Sequence, residues 1–185
     1  MKPLSLIILL ILHTHTLSCQ KKMARFILKD HRSIDGIHIG MSIKNAVNVL
    51  GKKYMVEKKK IIIFDDQPES IEYIVINNKN QTLFSFNAGH ERDKSTEVFR
   101  IVINNPTYIT LEGINVGMSI KELKTKTKLK NADFNFDDGL FISSATFDGG
   151  FWIAIDDKKE YKFTYDSPTM KDIPEDLIIK GIIIF

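Results

Sequence analysis

The chain writes one nonapeptide twice. Gly36-Ile37-His38-Ile39-Gly40-Met41-Ser42-Ile43-Lys44 returns as Gly113-Ile114-Asn115-Val116-Gly117-Met118-Ser119-Ile120-Lys121, with seven of the nine positions identical. The likeness reaches upstream, where Ser33-Ile34-Asp35 answers Thr110-Leu111-Glu112. Internal similarity of this kind marks two copies of one structural unit, and it restricts the architecture before any activity is considered.

Each copy predicts the same local structure. Residues 34–39 read as a short extended segment that Gly40 ends, and Ser42 then caps a helix by accepting an orphan backbone N–H. Ile43, Ala46, Val47 and Leu50 form one apolar stripe at helical spacing, and Gly51 suits a left-handed stop. In the second copy Ser119 and Glu122 form a capping box. Its stripe is weaker, because Thr127 stands where Leu50 stood and residues 121–130 carry five lysines, so this helix is expected to be more exposed.

After each helix the period becomes extended. Strands are predicted over residues 54–56, 61–64, 71–76, 83–86 and 98–103, and again over 134–136, 140–147, 151–155, 161–165 and 177–185. Asp137-Asp138-Gly139 and Asp148-Gly149-Gly150 are hairpin signals. The run Ile182-Ile183-Ile184-Phe185 lacks the alternation of a barrel strand and predicts a strand buried on both faces. The expected fold class is therefore α+β: two tandem helix-plus-antiparallel-sheet units, two-layer, at residues 33–109 and 110–185. The two sheets could join edge to edge.

The N-terminus reads as an address. Lys2 precedes a nearly unbroken apolar run over residues 4–12. That run is far shorter than the ~20 residues a membrane-spanning helix needs, so residues 1–18 are read as a signal peptide. Thr16-Leu17-Ser18-Cys19 follows and resembles a bacterial lipoprotein signal, with Thr16 where Leu is usual. Cys19 is the sole cysteine, which excludes an intramolecular disulfide and makes Cys19 the lipidation candidate at the head of a tether, residues 19–32.

The signal, the two Gly-Met-Ser helix starts (Gly40-Met41-Ser42 and Gly117-Met118-Ser119) and the helix-then-strands order together resemble the envelope proteins built on the β-lactamase-inhibitor-protein fold. Those include the small outer-membrane-assembly lipoproteins. This chain differs from them in having one helix per unit and a single cysteine.

Catalytic chemistry is hard to find. The formal net charge of +3 is too mild for a dedicated nucleic-acid binder, and Lys58-Lys59-Lys60 reads as a solvated hairpin edge. His31, His38 and His90 lack the spacing of a zinc site, so no metal or cofactor is expected. Asp65-Asp66, Asp137-Asp138 and Asp156-Asp157 follow strands and read as turn residues; a hydrolase would need Asp65, Asp137 and Asp156 to meet in one pocket. Ser42 and Ser119 read as caps, not nucleophiles.

The expectation is a non-enzymatic, lipid-anchored cell-envelope protein, on the outer membrane and facing periplasm or surface, that serves as a protein-interaction or scaffold module. The membrane through the anchor and an envelope protein are its expected partners. The alternative is an envelope binding protein for a small hydrophobic or saccharide ligand, using Phe151, Trp152 and Tyr161 on an open sheet face.

Overall fold

A computed structural model describes residues 26–27, 30–61, 70–88, 96–135, 139–156, 161 and 168–185. The signal peptide and Cys19 lie outside the described residues, as do Asp65, Asp66, His90, Asp137, Asp138 and Asp157. In chain order the elements are β1 (Phe26–Ile27), β2 (Ser33–Ile34), β3 (Ile37–His38), α1 (Ile43–Leu50), β4 (Met55–Ile61), β5 (Ser70–Ile76), β6 (Thr82–Ala88) and β7 (Val98–Ile103). There follow β8 (Tyr108–Ile109), α2 (Ile120–Lys126), β9 (Leu129–Asn135), β10 (Gly139–Ser144), β11 (Gly149–Ile153) and β12 (Ile179–Ile184).

The expected α+β class, two tandem helix-plus-antiparallel-sheet units in two layers, is overturned. Eight strands form one antiparallel sheet in the order β4-β5-β6-β7-β12-β11-β10-β9. Strand makes up 47% of the chain against 12% helix, so the protein is mostly β. The reason is the last strand of each copy. β7 and β12 pair with each other, Ile103 opposite Ile182 and Ile101 opposite Ile184, so neither copy keeps a sheet of its own. Helices of two turns are also too short to cover so wide a sheet alone.

Both copies of the nonapeptide dock in the same way. Gly40 N–H donates to Val98 O and Val98 N–H returns a bond to Met41 O; Gly117 and Ile179, then Ile179 and Met118, repeat the exchange. The first helical N–H groups, of Ile43 and Ile120, donate to Thr96 O and Leu177 O, which satisfies donors a helix start leaves open. Ser42 Oγ accepts from Asn45 N–H at 3.4 Å, while Ser119 and Glu122 form the full capping box. The repeated motif is thus a backbone joint between helix start and final strand.

Some local details differ from the sequence reading. Asp35 and Gly36, with φ of 50° and 91°, turn the first extended segment into the β2–β3 hairpin, as a type I′ turn requires. Gly51 closes α1 with a right-handed φ of −60°, its N–H donating to Val47 O. The strand expected to stop at residue 56 continues through Lys58-Lys59-Lys60 as edge strand β4, all three lysines exposed. Ile120 and Leu123 keep the α2 stripe fully buried, even though its lysines face solvent.

The core lies on one face of the sheet. Directly paired residues share a face, so Ile103, Ile182, Phe151, Ile142 and Ala132 form one apolar row across five strands. Phe86, Ile101 and Ile184 form the next row. Ala46, Leu50, Ile120, Leu123, the hairpin residues Ile34 and Ile37, and Ile173 pack over this face. Ile182, Ile183 and Ile184 are all buried, in keeping with the unalternating run. No helix among the described residues is long and apolar enough to cross a membrane.

Candidate functional site

Two neighbours from the predicted aromatic set part company. Phe151 is 0% exposed in the core row, whereas Trp152, one residue on, belongs to the opposite face with Phe141 and Gly181. A Cβ at Gly181 would come within 2.8 Å of Asn104 Oδ1 and make only ordinary contact with the indole at 3.6 Å, and Lys180 Nζ lies 4.6 Å from the ring centroid. Tyr161 is half-buried, and its hydroxyl accepts from Asp156 N–H at 3.0 Å. Phe151 therefore shares no ligand surface with Trp152. Phe151 and Phe86 hold matching places in the sheet, Phe86 opposite Ile101 and Phe151 opposite Ile182.

Asp156 is exposed, and the other two members of the predicted Asp trio fall outside the described residues. His38 is exposed on β3. Among the described residues no group of three or more His, Cys, Asp or Glu side chains is placed to hold a metal ion.

A polar crossing joins the residues that lead into the two nonapeptides. His31 and Tyr108 precede their nonapeptides by equal spacing, as do Asp35 and Glu112. Each aromatic residue reaches the acid that directly precedes the other nonapeptide: Tyr108 Oη donates to Asp35 Oδ2 at 2.6 Å, and His31 Nε2 meets Glu112 Oε1 at 3.0 Å. Tyr54 Oη adds a second bond to Asp35 Oδ2 at 3.1 Å. Burial, with the Asp35 carboxylate behind it, pushes both phenols above their usual range, most strongly for the fully buried Tyr108. Phenols so held remain proton donors, which suits a joint and not a general base. His31 stacks on Phe147 at 5.1 Å, and Glu112 Oε2 is buried without a hydrogen-bond partner among the described residues.

An accessible concavity lies elsewhere among the described residues, along β9. A groove of about 680 Å³ is lined by Lys130, Asn131, Ala132, Asp133 and Phe134 on one side and by residues 168–171 on the other. Side chains of a strand alternate between faces, so a groove lined by five consecutive residues follows the strand's edge. Among the described residues β9 is the last strand of the sheet, with β10 on one side of it. Phe134 and Met170 pack against the core from this groove, which gives it an apolar floor. Asp133 stands in register with Phe141 and Trp152 on the face away from the core. Among the described residues Lys130 and Lys171 have no ion-pair partner, and both are exposed.

No protein-family model matches the sequence, and no curated protein matches it. A solved structure does match: the uncharacterized protein YfeY from Escherichia coli, with a TM-score of 0.57 at 8% sequence identity. The match covers 86% of this chain and 98% of YfeY. The likeness is one of fold.

Proposed function

We propose that this chain is a lipid-anchored cell-envelope protein that acts without catalysis, as a protein-interaction or scaffold module held to the membrane through Cys19. The apolar run and lone cysteine at the N-terminus support the anchor. The observation that supports the interaction reading is the groove on β9, where an apolar floor and exposed lysines meet a strand edge that has no ladder partner among the described residues. Unpaired strand edges are ready templates for another chain. The small-ligand alternative draws less support, since Phe151 is committed to the core.

Two measurements test this. Metabolic labelling with a fatty acid should mark the wild type and fail with Cys19→Ala; an unlabelled wild type refutes the anchor. Photo-crosslinkers placed across the exposed surface in intact cells should give a reproducible protein adduct. Repeated failure at every position contradicts the module.

A further inference from the structure

We infer that the bilayer holding the anchor is also a docking partner of the folded domain. The corner formed by the α1–β4 turn and the β5–β6 turn seats on anionic phospholipid headgroups through Lys52, Lys53 and Lys79, beside the exposed Met55. The inference rests on the lipid-anchor reading and adds the orientation of the anchored domain. Three observations lead to it.

The first is where the chain enters the fold. β1 and β8 are parallel, with Phe26 in register with Tyr108, so the chain arrives where β8 begins. Just before Tyr108, Asn105 Nδ2 donates to the carbonyl of Thr82, the first residue of β6, at 3.0 Å. Tyr54, which leads into β4, shares the acceptor Asp35 with Tyr108. Met55 stands opposite Ile76, the last residue of β5, and the turn carrying Lys79 follows. These contacts gather the point of entry, Lys52, Lys53, Met55 and Lys79 at one corner of the sheet.

The second is the reach of the tether. Only residues 20–25 separate Cys19 from β1, and a chain that short spans at most about 25 Å. The point of entry therefore lies within that distance of a bilayer holding a lipidated Cys19. The other basic cluster, Lys126 and Lys128, stands at the opposite end of the sheet, where α2 ends and β9 starts. A strand the length of β4 is about 20 Å long, so bringing that end down would use nearly the whole tether.

The third is charge. Residues 20–25 contain Lys21, Lys22 and Arg25 and no acid, and basic residues beside a lipid anchor add attraction to anionic headgroups. Lys52, Lys53 and Lys79 continue that charge onto the fold, exposed and without ion-pair partners among the described residues. Asp35 is occupied by two phenols, and Glu57 lies further along β4. Met55, 49% exposed, offers an apolar side chain to the headgroup layer. The second copy is acidic at the same end of the sheet, where Asp172, Glu175 and Asp176 are exposed before β12 begins. Anionic lipid repels that turn, so the domain tilts with the first copy's corner toward the bilayer.

The test uses the full-length acylated chain in phosphatidylcholine vesicles with and without an equal share of phosphatidylglycerol. Asn78→Cys, Asp176→Cys and Ala145→Cys each carry a fluorophore at an exposed position, and brominated lipid quenches whichever one is seated. Quenching should occur at residue 78, only with phosphatidylglycerol, and should fade at high salt. Adding Lys52→Glu, Lys53→Glu and Lys79→Glu should lower the seated-to-free ratio about tenfold or more, the scale of several lysines leaving an anionic surface, with an unchanged melting midpoint. Quenching at residue 145 or 176, equal quenching on neutral vesicles, no quenching at any site, or indifference to the triple substitution overturns the inference. Fatty-acid labelling of the same preparation separates the two readings. A labelled chain that fails to seat removes the corner alone, whereas an unlabelled chain removes the anchor and the seating with it.

Discussion

Val102 and Ile183 stand directly opposite each other in the middle of the sheet, and each holds the same place in its own copy of the chain. Both lie four residues beyond the residue that exchanges backbone hydrogen bonds with the repeated Gly-Met pair, Val98 in one copy and Ile179 in the other. The irregular registers fall at matching places too, beside Val98 and beside Ile179. A local two-fold relation therefore passes between Val102 and Ile183. The duplication ends in a shared strand pair, which ties the two copies into one sheet.

The polar crossing should be unequal in its two halves. Asp35 accepts from two phenols, one of them fully buried, whereas Glu112 meets a single histidine whose side chain is 25% exposed. Asp35→Ala leaves Tyr108 without its acceptor and should cost about 1–3 kcal/mol. Glu112→Ala should cost less, about 0.5–1.5 kcal/mol, the range of a single partly buried hydrogen bond. Urea melts of the two variants at neutral pH check the order.

Alkaline pH should weaken the same joint. The folded-state pKa of Tyr108 is raised above its ordinary value of 10.0, so its contribution is complete below pH 10.0 and is lost as pH rises beyond it. The wild type should lose up to about 1.4 kcal/mol per pH unit from this group above that point. Tyr108→Phe should be less stable at neutral pH and should lack that part of the slope. Parallel urea melts from neutral to alkaline pH would show whether the two curves converge.

The caps of the repeated motif should also differ. Ser119 is locked by the reciprocal bonds of Glu122, whose carboxyl those Ser119 bonds hold below the usual range. Ser42 has only its 3.4 Å bond to Asn45 N–H. Ser119→Ala should cost about 1 kcal/mol and Ser42→Ala less, read as a difference in melting midpoints.

Much of the local structure was legible. Residues 98–103 form β7 with the predicted bounds, and Ser119 with Glu122 forms the predicted box. The joining of the copies left no local mark, because pairing of Val102 with Ile183 depends on residues remote in sequence. Ile182 to Ile184 did betray a strand buried on both faces. Phe151 was misplaced because its neighbour Trp152 drew both toward the open face, although strand alternation separates them. The groove could not be read at all, since it forms only where β9 meets residues 168–171.

The most direct test of the shared sheet destabilises one copy and reads the other. Trp152, the only tryptophan, reports on the second copy, while Phe84, fully buried on β6, belongs to the first. Phe84→Ala should cost about 3–5 kcal/mol. In a urea titration, tryptophan fluorescence and far-UV circular dichroism should keep coincident single transitions, both moved to lower urea by the same amount. A fluorescence transition that stays in place while the dichroism splits into two steps would contradict one cooperative sheet.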